Sequence, residues 1–453
     1  MLNHRVSTKT ILSDLGDGLI LRRSTPGDAE ALVEFNARIH SDDGPDHPDE
    51  KVAAWVRDLF TRPHPSFNIG DFTIVERADT GKIVSSMNLI PQTWSYAGVK
   101  FKVGRPELVG TDPEYRNRGL VRAQFEVIHQ WSAERGELAQ AITGIPYYYR
   151  LFGYEMALNL GGGRLGFLPH VPKLKEGESE PYLVRPATLD DIEFISWIYE
   201  LGCRRSLVSC VWGEDEWRYE LSGKSERNVN RSEVRLIEDV NGAKVGFLTH
   251  SFFNWDNGVT LVANRYEVKP GVSWAEVTPS VVRYLGITGE AKSKEMAKEP
   301  FCAFGFWLGE SHPVYLVLRD RLPRQRKPYA WYLRLPDLPV FLRRVTPALE
   351  ERLNASPYAG HTGELKITFY KTGLRLVLEK GRLITIEPWT PHPVGHSGDA
   401  AFPGLTFLQL VFGYRSFEEL DNLYPDCWAD NDNAFGLLSV LFPRQASDVM
   451  PVA

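Results

Sequence analysis

Cysteine and methionine are scarce in this chain, at four and five residues among 453. Cys203, Cys210, Cys302 and Cys427 form no C-x-x-C pair and no close Cys/His set. That excludes a disulfide frame or zinc site legible from spacing, and the four read as buried thiols in a reducing compartment. No metal is expected. Long apolar runs are missing too: no window approaches the roughly 20 apolar residues of a membrane span. The first residues also lack the apolar core of a signal peptide. The expectation is a cytoplasmic protein with no membrane partner. An excess of charge is absent as well, since 52 basic and 58 acidic residues leave a formal charge of −6. Nothing there suggests a bulk electrostatic grip on nucleic acid. What remains is a globular composition, 43% apolar and 24% charged, and enough length for roughly three domains.

One stretch organises the chain. From Glu107 to Val121 it reads ELVGTDPEYRNRGLV, and it continues to Gly136. Leu108 and Val109 end a strand, and Gly110 permits close approach of a ligand or another backbone. Pro113 and Gly119 punctuate a basic turn. From Leu120 onward, Leu120, Ala123, Val127, Ile128 and Trp131 recur at near-helical spacing, and Gly136 suits a helix stop. A helix that begins just after Arg116-Asn117-Arg118-Gly119 directs unsatisfied backbone N–H groups and its positive dipole end forward. Two arginines beside those amides suit a pyrophosphate.

Before this stretch the pattern predicts a strand at Gly18–Arg23 and helices over Ala29–His40 and Lys51–Phe60, separated by the carboxylate-rich loop Ser41–Glu50. A hairpin turning at Ala78–Lys82 follows, then a further strand over Trp94–Val103. After it come a strand at Leu138–Ile145 and a short helix opened by Pro146. The charged segment Lys173–Pro181 reads as a linker. Beyond it the chain begins again: Val184-Arg185-Pro186-Ala187-Thr188-Leu189-Asp190-Asp191 resembles Leu21-Arg22-Arg23-Ser24-Thr25-Pro26-Gly27-Asp28, and an amphipathic helix follows each. The second copy has a hairpin at Asn241-Gly242. Where its basic turn belongs, Lys269-Pro270-Gly271 stands without an arginine-glycine turn, so this copy reads as wall and scaffold. From Gly363 to Trp389 alternating strands precede short helices, the order of a separate α+β domain.

Arg116-Asn117-Arg118-Gly119-Leu120-Val121 resembles the R/Q-x-x-G-x-G/A pyrophosphate loop of the GNAT superfamily of N-acetyltransferases, with Val121 in place of the last small residue. Tyr149–Tyr154, YRLFGY, resembles the Y-x-x-x-G-F/Y element that closes that fold. The domain order and the segment around Arg334-Leu335-Pro336-Asp337-Leu338-Pro339 resemble the enhanced-intracellular-survival (Eis) type. The resemblance implies an α/β fold with mixed sheets: a catalytic GNAT domain at residues 1–172, a degenerate GNAT-like domain at 180–335 and a sterol-carrier-protein-like α+β domain at 336–453. It implies acetyl-CoA as cosubstrate and a primary amine as acceptor, on an aminoglycoside, a polyamine or a lysine-like group. It also implies assembly into homo-oligomers, typically hexamers. Backbone around Val109, Gly110 and Thr111 is expected to meet the thioester and pantetheine, and Arg116 through Val121 the pyrophosphate. A tyrosine, protonated at neutral pH, suits the acid that protonates the departing thiolate: Tyr154 first, Tyr149 in reserve. The implied base is the C-terminal carboxylate of Ala453, although the tail Pro443–Ala453 lacks an aromatic end and such tails are usually disordered. Asp448 is the alternative carboxylate. The competing reading is a non-catalytic CoA- or lipid-binding carrier.

Overall fold

The computed structural model describes residues 10–255, 258–296, 300–392 and 397–453. The fold is mixed α/β, arranged around three sheets. The first unit contains β1 (Ile11–Gly16), β2 (Leu19–Arg23), α1 (Ala29–Ile39), α2 (Glu50–Thr61), β3 (Phe72–Arg77), β4 (Ile83–Tyr96), β5 (Val99–Thr111), α3 (Leu120–Glu134), β6 (Ala139–Ile142), β7 (Glu155–Leu160) and β8 (Gly163–Phe167). Local chemistry sets the start of α2. Asp49 caps α2 by accepting from the Lys51 and Val52 N–H groups at 2.7 and 3.1 Å. One expectation fails here. The run Trp94–Val103 is not one strand but the tip of a long hairpin, where β4 and β5 turn at Ala97 (φ 44°) and Gly98 (φ 85°). Positive φ at both central residues is the two-residue turn that suits strand twist.

The second unit contains β9 (Tyr182–Pro186), α4 (Ile192–Cys203), β10 (Val208–Cys210), α5 (Glu214–Arg218), β11 (Glu233–Asp239), β12 (Lys244–Trp255), β13 (Gly258–Val268), α6 (Trp274–Met296), β14 (Phe301–Phe306), α7 (Val314–Val317), β15 (Arg324–Arg326) and β16 (Tyr329–Arg334). The sequence repeat has a structural meaning. Arg22 pairs with Asp28 at 2.7 Å and with Glu76 at 2.6 Å. Arg185 pairs with Asp191 and Glu238, both at 2.8 Å. In both copies the aspartate also accepts from a threonine N–H three residues earlier, Thr25 at 2.7 Å and Thr188 at 2.9 Å. Each cluster ties the strand carrying its arginine, β2 or β9, to the helix entry and to a neighbouring strand.

The first sheet runs β1-β2-β3-β4-β5-β6-β16-β7, with β10 on the far half of β4. The second runs β15-β8-β14-β13-β12-β11-β9. The two units therefore exchange strands: β8 precedes the linker but joins the second sheet, and β16 follows the second unit but lies between β6 and β7. The third unit contains α8 (Leu338–Asn354), β17 (Gly363–Thr368), β18 (Gly373–Glu379), β19 (Arg382–Trp389), β20 (Ala400–Ala401), α9 (Phe407–Val411), α10 (Phe417–Leu423), β21 (Trp428–Ala429) and α11 (Asp432–Leu441). Its sheet runs β19-β18-β17-β20-β21. A continuous buried core joins it to the β4–β5 hairpin through Tyr96, Phe101, Phe341 and Phe412, and Tyr96 Oη donates to the Val411 carbonyl at 2.7 Å. Among the described residues, no helix is long and apolar enough to cross a membrane.

Candidate active site

The site begins with a flaw in the sheet. Ser86 pairs with Gly110 and Asn88 with Glu107, so Met87 on β4 faces both Leu108 and Val109 on β5. Leu108 carries the extra residue at φ 52°. Such a bulge bends its strand and disrupts the ladder locally. The consequence appears on the other edge: β5 and β6 are parallel partners only at Val103–Ala139 and Gly104–Gln140. Beyond Gly104 the two strands splay, and the β5 edge from Arg105 to Thr111 has no neighbour in β6.

The bulge points the end of β5 at the start of α3. Between them Asn117 (φ 63°) and Gly119 (φ 77°) turn the chain sharply. Gly119 is the N-cap of α3; no side chain caps the helix and no acidic residue occupies its first turn. The first N–H groups are therefore left to face the opening. In front of them lies a cleft of about 530 Å³, lined by Ile39 and His40 from α1, Val109, Gly110 and Thr111 from β5, Tyr115 through Arg122 except Arg118, and Ile145, Tyr148, Leu151 and Phe152. Gly110 has no room for a side chain, because a Cβ there would come within 2.8 Å of Ile39.

Eight of the nine residues expected at the cofactor thus line one cleft: Val109, Gly110, Thr111, Arg116, Asn117, Gly119, Leu120 and Val121. Arg118 is the exception, with its guanidinium over the Tyr115 ring at 5.0 Å. The four tyrosines separate. Tyr147 is exposed and Tyr148 forms part of the cleft wall. Tyr149 is buried, its hydroxyl against Gly144 at the end of β6. Tyr154 is fully buried and its hydroxyl shares a 2.8 Å hydrogen bond with His129 Nε2. Burial pushes both Tyr149 and Tyr154 well above the usual phenol range, with the Glu107 carboxylate adding to the effect at Tyr149. Burial lowers His129 to about 3, so its ring is neutral.

The chain's end is ordered. Ala453 is 4% exposed and packs among residues of α1 and α2 and Leu108 at the bulge. The Val452 carbonyl accepts from Gln92 Nε2 at 2.9 Å and from Arg105 Nη1 at 3.4 Å. Asp448 lies elsewhere, beside Arg265 and His312 of the second unit.

Sequence reading gave no role to Glu107, Arg105, Gln92 or His129. Arg105 Nη2 meets Glu107 Oε1 at 2.6 Å. Burial raises the Glu107 carboxyl above the usual range while Arg105 opposes the shift. Glu107 sits within the stretch that organised the sequence, so a carboxylate beside the end of that strand was a usable signal. Gln92 had none, because its partner lies 360 positions away.

Residues 22–157 match the acetyltransferase (GNAT) domain family. Comparison with curated proteins gives no match. Among solved structures, the chain is similar to a GCN5-related N-acetyltransferase from Kribbella flavida, at 19% identity and TM-score 0.61 over 95% of this chain and 97% of that one. It is similar to one from Anabaena variabilis at 14% identity and TM-score 0.62, covering 96% and 100%. Eis1 from Mycobacterium abscessus matches at 13% identity and TM-score 0.56, covering 96% and 99%. At these identities the solved structures speak for the fold, and the domain match speaks for the chemistry. Residues 22–157 thus match a GNAT acetyltransferase domain, and the whole length of the chain shares the fold of these solved structures.

Proposed function

We propose that the protein transfers the acetyl group of acetyl-CoA to a primary amine of an aminoglycoside, polyamine or lysine-like acceptor, by direct attack. The observation that carries this reading is the uncapped N-terminus of α3, which opens onto a cleft of about 530 Å³ at the β5–β6 splay. Acetyl-CoA supplies an activated thioester; the chain's own groups hold it and move protons. The N–H groups of the first turn of α3, with Arg116, suit the pyrophosphate. The unpaired edge at Val109, Gly110 and Thr111 suits an extended amide-bearing arm, and a backbone N–H there suits the thioester oxygen.

For the acid, geometry favours Tyr149 over Tyr154. Neither tyrosine lines the cleft, but the Tyr154 hydroxyl is engaged by His129, whereas the Tyr149 hydroxyl lies against Gly144 just past β6. For the base there are two carboxylates near the bulge, those of Ala453 and Glu107. Burial weakens Glu107 as an acid, which suits a group that must take a proton from an ammonium. Homo-oligomeric, hexameric assembly and a sterol-carrier-like third unit belong to the same reading and rest on the family resemblance.

Steady-state thiol release tests the acid. Tyr149→Phe is expected to lower kcat about 100-fold with KM for acetyl-CoA little changed. Tyr154→Phe should cost far less in kcat. The reverse ranking would return the role to Tyr154.

A further inference from the structure

The second unit keeps the sheet flaw of the first. Thr249 pairs with Arg265 and His250 with Ala263, which leaves Asn264 as an extra residue on β13. β13 pairs with β14 only from Val259 to Ala263, so Arg265 to Val268 run past the end of that ladder. A crevice of about 50 Å³ lies there, bounded by the end of α4, by Arg265–Glu267 and by the segment after β14. The same three kinds of element bound the cleft of the first unit. Its fourth wall, the arginine-bearing turn into a helix, is missing. Instead the Trp274 ring, at the start of α6, packs against Tyr266 and His312 with centroids 5.0 and 5.2 Å away. The slot is retained, but at about 50 Å³ it has no room for coenzyme A.

What enters it is the end of this chain. The Leu207 N–H donates to the Ala446 carbonyl at 2.8 Å and the Asp448 N–H to the Val208 carbonyl at 3.0 Å. Asp448 forms part of the crevice wall. The Met450 carbonyl then accepts from Trp212 Nε1 at 3.0 Å and from Arg265 Nη2 at 3.3 Å. The Arg265 guanidinium stacks over the Trp212 ring at 4.0 Å. Both donor residues are 6% exposed, so water is a poor replacement for either bond. Two residues later the Val452 carbonyl is held by Gln92 of the first unit. Extended chain advances about 3.3–3.6 Å per residue. A grip at Met450 therefore sets how far the terminal carboxylate reaches.

We infer that the second unit, which lacks a cofactor loop, serves as a socket for the C-terminal tail, and that Trp212 and Arg265 are positioning residues that aim the Ala453 carboxylate at the bulge of the first unit. The inference rests on the reading of Ala453 as a proton acceptor. It gives the second copy a task in the reaction of the first, carried out at the place where a cofactor would otherwise sit.

The test uses the full chain, with thiol release from acetyl-CoA at saturating amine and amide hydrogen exchange of residues 446–453. Trp212→Phe and Arg265→Met are each expected to lower kcat about tenfold. KM for acetyl-CoA should stay within about twofold, and tail exchange should speed up. Arg265→Lys should recover much of the loss. In a chain shortened by Val452 and Ala453, where kcat is already low, neither substitution should lower it further. Unchanged kcat and unchanged tail exchange in both variants would overturn the inference, as would an equal loss in the shortened chain. If the shortening itself leaves kcat intact, the Ala453 reading fails. Tail exchange then decides the socket: faster exchange in the two variants supports it, and unchanged exchange overturns it.

Discussion

Glu137 has its carboxyl group buried beside Ser132, directly under Gly104 where β5 and β6 begin to part. Burial pushes its carboxyl up to about 7. The sign follows from proton linkage: the folded chain keeps a proton that the unfolded chain releases near pH 4.5. The stability this group contributes is therefore complete at pH 4 and is lost as pH rises to about 7. A shift of this size corresponds to about 3 kcal/mol. Glu137→Gln, a neutral isostere, is expected to raise stability by about 2–3 kcal/mol at pH 8 and to change little at pH 4. Urea unfolding at the two pH values checks this, and an equal gain at both would contradict it. At this scale the sequence was legible where partners are close along the chain. Arg22 with Asp28 and Arg185 with Asp191 were visible as a repeat. Glu76 and Glu238, which complete the two clusters, are more than 50 positions from their arginines and were not.

At the scale of elements, α3 and its entry were legible because helical spacing, the basic turn and Gly119 are contiguous. The β4–β5 hairpin was not. Two-residue turns of this kind favour Asn or Asp at the first central residue, and here Ala97 holds it, so the apolar run from Trp94 to Val103 reads through the reversal. The bulge at Leu108 carried no sequence mark either, since leucine is a poor choice for positive φ. Leu108 packs with residues of α1 and α2, while Val109 packs on the side of α3. The uncapped α3 gives a separable prediction. Gly119→Asp places a carboxylate where it can cap the helix, and aspartate tolerates the left-handed region better than most residues. Stability should fall by no more than about 1 kcal/mol, while the charge repels a pyrophosphate. KM for acetyl-CoA should rise about 100-fold with kcat affected much less. A KM that stays within twofold would place the pyrophosphate elsewhere.

At the scale of the whole molecule, the repeated strand-and-helix start and the alternating strands from Gly363 to Trp389 were visible in the sequence. The exchange of strands was not. β16 shows only a short continuous apolar run, and nothing in Tyr329–Arg334 tells which sheet it joins; the choice is made by β6 and β7, which need a partner between them. The tail is a similar case, ordered by contacts with Val208, Trp212 and Gln92 that no local pattern announces. A fragment of residues 10–172 would lack β16, the tail and the third unit's cover over Tyr96 and Phe101. Unpaired strand edges and exposed apolar surface favour association. The fragment is expected to aggregate or to unfold without a cooperative transition, as followed by light scattering and circular dichroism. A soluble monomer with a sharp melt would show that the first sheet closes without β16.

The account as a whole depends on the cleft at α3 holding acetyl-CoA and delivering its acetyl group to an amine. The most direct measurement is release of free thiol from acetyl-CoA by the full chain across aminoglycosides, polyamines and lysine peptides, with the Gly119→Asp variant in parallel. The expected result is amine-dependent thiol release with at least one of these classes, and loss of that release in the variant at low acetyl-CoA. Absence of acetyl-CoA binding by calorimetry, together with no thiol release from any amine, would contradict the account and leave the carrier reading in its place.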